Sequence, residues 1–257
     1  MSTDKSTVDS YNNNAYLWAG KMRSGKNYGH VYLEKPAMVS KLPDLQAKTV
    51  LCLGCGSGEE TEILQDKGAD RITGIDISEK LIEIAKNTYP EIEFHTMDME
   101  RLTFKDNSFD YVYSSLTLHY VEDWAKTLDE VFRVLKPGGT FLFSTHHPLK
   151  WGAETILRDG ATLQIIGTEK SVDKQSHRAY GDYLSVTRRE TTWFDKLKIV
   201  YYNRPISDMF HGLKNAGFEI IDMLEPKPLE EVKEHDRRFW DLYTRIPMFI
   251  VWEVRKP

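Results

Sequence analysis

Five residues near position 55 have the composition of a ligand-binding turn. Gly54-Cys55-Gly56-Ser57-Gly58 follows the apolar run Thr49-Val50-Leu51-Cys52-Leu53 and precedes Glu59-Glu60-Thr61-Glu62-Ile63-Leu64. Glycine suits such a turn because the backbone must bend sharply and a ligand must come close. Asp76 stands roughly 20 residues further on, at the end of a second predicted strand, and its carboxylate can accept from both hydroxyls of a ribose. Asp98 ends a third, where it could accept from an adenine amino group. Together these residues describe a crevice for an adenosine-type nucleotide. The dinucleotide fingerprint G-x-G-x-x-G would put glycine at position 59, where this chain has Glu59. Acids at a helix start repel a pyrophosphate that would use that terminus. A sulfonium ligand carries no phosphate and meets no such conflict.

His119, His146 and His147 are candidate general bases, since imidazole changes charge near neutral pH. His146 and His147 follow a predicted strand at its carboxyl end. The plainer role for them is to hydrogen-bond the loop before Pro148. No carboxylate lies beside them at ligand spacing, so no metal is expected. Cys52 and Cys55 are the only cysteines and are spaced C-x-x-C. Cys52 sits in an apolar run and Cys55 between two glycines, which argues against a redox pair, and a zinc site would want a second pair.

The elements that must position these residues follow from periodicity. Strands are predicted at 49–53, 71–75, 92–96, 109–113 and 140–144, with helices between them. Three acids in the first turn of the helix after the glycines suit its dipole, and Ser78 can cap the next helix. Leu128, Val131, Phe132 and Leu135 recur at i, i+3, i+4 and i+7, and Pro137-Gly138-Gly139 is expected to stop that helix. Alternating strands and helices imply a doubly wound α/β fold with a mostly parallel sheet and a crevice at the strands' carboxyl ends. A helix from Ile206 to Leu213 and strands at 218–224 and 248–254 follow. The expected organisation is one domain: an N-terminal lid at 1–44, a nucleotide-binding core at 45–148, an inserted cap at 149–204, and a final helix and strands at 205–257.

At this point the chain resembles the class I S-adenosylmethionine-dependent methyltransferases, in particular the small-molecule, methyltransferase type 11-like group. The resemblance rests on Val50 to Gly58, Gly74-Ile75-Asp76-Ile77-Ser78, Asp98-Met99, Phe109-Asp110, Ser114-Ser115-Leu116, Leu118 to Asp123 and Leu135 to Gly139. It covers roughly residues 45–147. It implies a Rossmann-like seven-stranded sheet with an antiparallel last strand, and S-adenosylmethionine as cofactor. By the same resemblance Gly54, Cys55, Gly56 and Gly58 lie against the methionine part, Asp76 binds the ribose and Ile77 packs on the adenine. Asp98 and the Met99 backbone hold the adenine edge, and Ser114, Ser115 and Leu116 line the floor. Tyr11, Tyr16, Trp18 and Tyr28 would belong to a lid over cofactor and acceptor; their plainer role is to anchor a helix. The family usually has an acid where this chain has Cys52, so another group must hold the cofactor's amino group, for example a backbone carbonyl or an N-terminal residue.

Net charge is −5, which argues against a nucleic-acid partner. No apolar stretch reaches membrane length, and the polar N-terminus is no signal peptide, so the cytoplasm is the expected location. The leading expectation is methyl transfer to a small molecule. An RNA or protein methyltransferase, or a non-catalytic S-adenosylmethionine-binding protein, are the alternatives. The sequence leaves the acceptor and the oligomeric state open.

Overall fold

A computed structural model describes residues 2–171 and 176–257. In chain order the elements are α1 (Lys5–Asn13), α2 (Ala15–Arg23), a π-helical turn (His30–Glu34), α3 (Lys35–Lys41), β1 (Thr49–Leu53), α4 (Glu59–Asp66), β2 (Arg71–Asp76), α5 (Glu79–Thr88), β3 (Glu93–Thr96) and β4 (Phe109–Ser114). Then come a 3-10 turn (Leu118–Tyr120), α6 (Trp124–Val134), β5 (Leu135–His146), α7 (Pro148–Trp151), β6 (Glu154–Arg158), β7 (Ala161–Ile165), β8 (Gly167–Lys170), β9 (His177–Tyr180), β10 (Thr187–Trp193) and β11 (Leu197–Asn203). The chain ends with α8 (Ile206–Asn215), β12 (Glu219–Leu224), α9 (Val232–His235), α10 (Arg237–Tyr243) and β13 (Phe249–Arg255).

Seven strands form one sheet in the order β12-β13-β5-β4-β1-β2-β3. β5, β4, β1, β2 and β3 run parallel, and β13 lies antiparallel between β5 and β12. The apolar run at β1 is uninterrupted because both faces of the sheet are covered. Leu51 and Leu53 face a core completed by Phe141, Phe143, Leu128 and Leu213. Val50 and Cys52 face the other way, toward Met38, Leu64 and Ile82. Cys52 is therefore a small apolar filler of a buried layer, and burial pushes its thiol pKa up.

Strand order reverses at β1, whose neighbours are β2 on one side and β4 on the other. Such a switch point opens a crevice at the carboxyl ends of the strands. Ser114 closes the floor there by donating its hydroxyl to the carbonyl of Leu53.

One sequence expectation needs correction. The helix before Pro137 stops at Val134, and β5 starts at Leu135, so Pro137-Gly138-Gly139 lies inside a strand. Leu135 pairs with Phe109 and Thr140 with Tyr111, and the register shift between them absorbs the extra residues. A bulge of this kind tolerates a proline, which has no N–H to give the ladder. Among its described residues the segment expected as an inserted cap carries α7 and three two-stranded sheets, β6–β7, β8–β9 and β10–β11.

Candidate active site

The crevice is a cavity of about 1110 Å³. Its base is the turn after β1. Gly54 and Gly56 have φ of +65° and +55°, and a Cβ on Gly54 would stand 2.3 Å from Thr117 Cγ2. Only glycine supplies that conformation and that approach at once. The turn is held by its own amides: Cys55 N donates to the Ile75 carbonyl and Gly56 N to Asp76 Oδ2 at 3.0 Å. Asp76 Oδ1 accepts from Ser78 N at 2.8 Å, so the carboxylate is oriented from both sides. Burial raises its pKa, and the amides of Ser78, Gly56 and Ile77 pull it back. Each carboxylate oxygen has a lone pair left for a ligand hydroxyl.

Gly54, Cys55, Gly56, Asp76, Ile77, Met99, Ser115 and Leu116 line the cavity. Three residues expected with them do not. Gly58 (φ +95°) tucks beneath Tyr89, where a Cβ would come within 2.7 Å of the ring. Ser114 is wholly buried below the floor. Asp98 accepts from Ser2 N at 2.9 Å and from Glu100 N at 3.1 Å.

The N-terminal segment crosses the mouth. α1 is stitched down by Thr7 Oγ1 accepting from Val200 N and by Tyr11 Oη against Tyr120 Oη at 2.6 Å. Arg23 at the end of α2 pairs with Glu59 at 2.9 Å. Tyr11 and Trp18 line the cavity, with Trp18 Nε1 poised over Gly56. Tyr16 points outward and is 77% exposed. Tyr28 packs instead on Tyr32 and Phe239. Of the inserted segment, Trp151, Thr192, Trp193 and Phe194 reach the cavity. Tyr201 supports the edge of His146, while Tyr180 and Tyr183 do not line the chamber.

The π-helical turn carries a charge network that no local pattern announces. His30 Nδ1 lies 2.8 Å from Glu34, and its Nε2 lies 3.1 Å from Glu60. Glu34 is fully buried and accepts from Ser115 Oγ and Ser144 Oγ. Tyr113 Oη donates to Glu60 at 2.9 Å. Burial opposes charge on His30, but the two carboxylates outweigh it and push the imidazole up to about 10. Glu60 is held below its usual range because His30 outweighs its burial. His30 and Glu60 line the cavity beside the glycine turn. The signal in the sequence was slight: a histidine four residues before a glutamate, with the third partner beyond the next strand.

The three candidate histidines separate. His119 and His146 line the cavity and stack face to face, with centroids 3.5 Å apart and planes 9° apart. Burial pushes His119 down to about 3 and holds His146 well below its ordinary range, helped by His119 and Lys150. Two rings this close cannot both be charged. His147 turns away: its Nδ1 caps α7 through Leu149 N, and its Nε2 meets Glu225 at 2.8 Å. It serves the loop before Pro148 and is absent from the cavity wall.

Comparison with known proteins decides the family. The family model described as a methyltransferase domain matches residues 51–143. The chain is 30% identical to an S-adenosylmethionine-dependent methyltransferase from Mesorhizobium loti, covering 86% of this chain and 97% of that one with a TM-score of 0.72. This chain belongs to the S-adenosylmethionine-dependent methyltransferases. It is also 30% identical to an uncharacterized protein of Haemophilus influenzae over 90% of each chain. Against the biotin biosynthesis bifunctional protein BioHC of Teredinibacter turnerae it is 39% identical over 68% of this chain and 32% of that protein, so it spans about a third of that relative's length. Among the described residues no group of three or more His, Cys, Asp or Glu side chains is placed to hold a metal ion, and no helix is long and apolar enough to cross a membrane.

Proposed function

We propose that this methyltransferase acts on a small molecule enclosed in the cavity over β1, β4 and β5. One observation carries the proposal: the glycine turn and Asp76 share a single cavity with a wall of aromatic rings. When bound, S-adenosylmethionine supplies a methyl group on a sulfonium, whose departure leaves a neutral thioether. The chain's own residues then have three tasks. Gly54 and Gly56 let the backbone approach the cofactor, and Asp76 takes the ribose hydroxyls on its free lone pairs. Ile77 and Met99 wall the adenine, and Ser115 and Leu116 form the floor. Glu60, beside the turn and backed by His30 and Glu34, takes the duty of the acid that Cys52 cannot supply.

The second task is alignment, which is worth about 7–11 kcal/mol where reactants are held in line. The third is exclusion of water by Tyr11, Trp18, Trp151 and Trp193, which roof and wall the chamber. A base is needed only where the acceptor keeps a proton at neutral pH. His146 supports that role better than His147, because His146 lines the cavity. An RNA or protein acceptor finds less support: it wants an open basic groove, and Arg188 is paired to Asp4 and Glu190. Two buried free thiols suit a reducing compartment, in keeping with the cytoplasm.

The test is transfer of labelled methyl from S-adenosylmethionine into a host extract separated into small-molecule, RNA and protein fractions. Label in the small-molecule fraction is expected. Label confined to RNA or protein overturns the substrate class, and no label in any fraction favours a binder without turnover.

A further inference from the structure

The far end of the cavity is built from rings. His146 is sandwiched between His119 and Trp151, with centroids 3.5 and 3.8 Å away and planes 9° and 7° apart. Tyr201 and Phe249 close on its edge and flank. Both faces of His146 are thus covered, and only its edge is available. Both nitrogens of His119 and Nδ1 of His146 are sealed in without a hydrogen-bond partner. Nε2 of His146 has no partner among the described residues either, yet it is not sealed, so it opens on the cavity. A buried polar atom left unpaired costs about 1–3 kcal/mol, and such atoms in a native site call for a partner. The acidic and basic residues of the cavity wall other than its two stacked histidines, namely Arg23, His30, Lys35, Glu59, Glu60, Glu62 and Asp76, belong to the N-terminal segment, α4 and the end of β2, around the glycine turn.

We infer that the methyl acceptor is an uncharged, planar ring compound bearing a hydroxyl, and that this hydroxyl pairs with Nε2 of His146. The inference rests on the small-molecule function proposed above. A planar ring fits between flat aromatic walls with little loss of conformational freedom. A hydroxyl both donates and accepts, so it can pair with Nε2 in either neutral tautomer of the imidazole. A carboxylate or ammonium at the rings would be stripped of water, and the charges nearest them are committed elsewhere: Lys150 lies outside the cavity wall and donates to Gln164, and Asp76 is held at the glycine turn. In the reaction the hydroxyl oxygen forms the new bond to the methyl carbon while the sulfur–carbon bond breaks toward sulfur. The hydroxyl proton passes to Nε2 of His146 only as the sulfonium charge disappears, so the net charge of the chamber is unchanged, and burial then favours release of that proton from the imidazole. His119 is a positioning residue: stacked on His146, it fixes the ring plane and hence the direction of Nε2.

The experiment measures binding by calorimetry on the full chain saturated with S-adenosylhomocysteine, with 2-naphthol, naphthalene and 2-naphthoate as probes. The naphthol is expected to bind at least about tenfold more tightly than either analogue, the value of one hydrogen bond or one avoided desolvation. His146→Phe keeps the stack and should remove the preference for naphthol over naphthalene while leaving S-adenosylhomocysteine affinity unchanged. Equal binding of naphthoate, or an undiminished preference in His146→Phe, overturns the inference. Should that variant fail to fold, the nitrogen-15 shift of His146 Nε2 in the unaltered protein decides. It should move with naphthol and stay with naphthalene, and no movement overturns the pairing. Naphthol preference with methyl label entering only RNA or protein overturns the small-molecule function while the ring site stands. Label in small molecules without naphthol preference overturns the ring site alone.

Discussion

Gly54 cannot carry a side chain unless Thr117 moves. Its φ of +65° and the 2.3 Å approach to Thr117 Cγ2 act together. Gly54→Ala should therefore lower stability by about 2–3 kcal/mol, combining a strained backbone with overpacking. Urea unfolding measures this, and a loss under half a kilocalorie would mean that the turn relaxes freely. His119 has the opposite expectation. Both its nitrogens are buried without partners, so His119→Phe should raise stability by about 1 kcal/mol or more by removing polar atoms that gain nothing. Unfolding of the same protein in urea reads it, and a marked loss would reveal water bonded to those nitrogens. A residue that costs stability in a binding wall is the kind retained for what it does to a ligand.

The N-terminal segment is fastened by charge as well as by packing. His30, between Glu34 and Glu60, joins the π-helical turn to α4, and Ser115 and Ser144 extend the contact to β4 and β5. Removing one member of a buried ion pair typically costs about 3–5 kcal/mol, because the remaining charge stays unpaired. Glu34→Gln should cost a comparable amount and free the segment before the sheet unfolds. Limited proteolysis should then cut first within residues 2–34, and cleavage at the unaltered rate would assign the fastening to α1 and α2 instead. This clasp was beyond sequence reasoning, whereas β1, the glycine turn and Asp76 were not. Strand, turn and acid announce themselves within a few dozen residues, through an unbroken apolar run and glycine chemistry. His30 and Glu60 are brought together only by folding. The same distinction explains β5, where periodicity placed a stop at Pro137 and pairing of Leu135 with Phe109 extended the strand. It also explains the histidines: position at a strand end could not say that His146 would face inward and His147 toward Glu225.

At the scale of the molecule, two groups of histidines pull stability in opposite directions with pH. His119, pushed down to about 3, stays neutral in the fold while the unfolded chain takes up a proton near pH 6.5. Its contribution is full above pH 6.5 and is lost as pH falls from there toward 3. His30, pushed up to about 10, keeps its proton in the fold after the unfolded chain has released it. Its contribution is full below pH 6.5 and is lost as pH rises toward 10. Each proton of difference tilts stability by about 1.4 kcal/mol per pH unit. Unfolding free energy should therefore peak near pH 6.5 and decline on both sides. His30→Gln should flatten the alkaline limb alone, and an unchanged alkaline limb in that variant would place its cause elsewhere.

The roof over the chamber sets the tempo of exchange. α1 is bonded to β11 through Thr7 and to the 3-10 turn through Tyr11, so segments far apart in the sequence meet at one side of the cavity. Reactants enter and products leave by loosening those bonds together, a movement of microseconds to milliseconds. The seal that keeps water from the reacting atoms also detains what they have made. Where such contacts must open in each cycle, release rather than chemistry is expected to limit turnover, and a burst of product in the first turnover checks it.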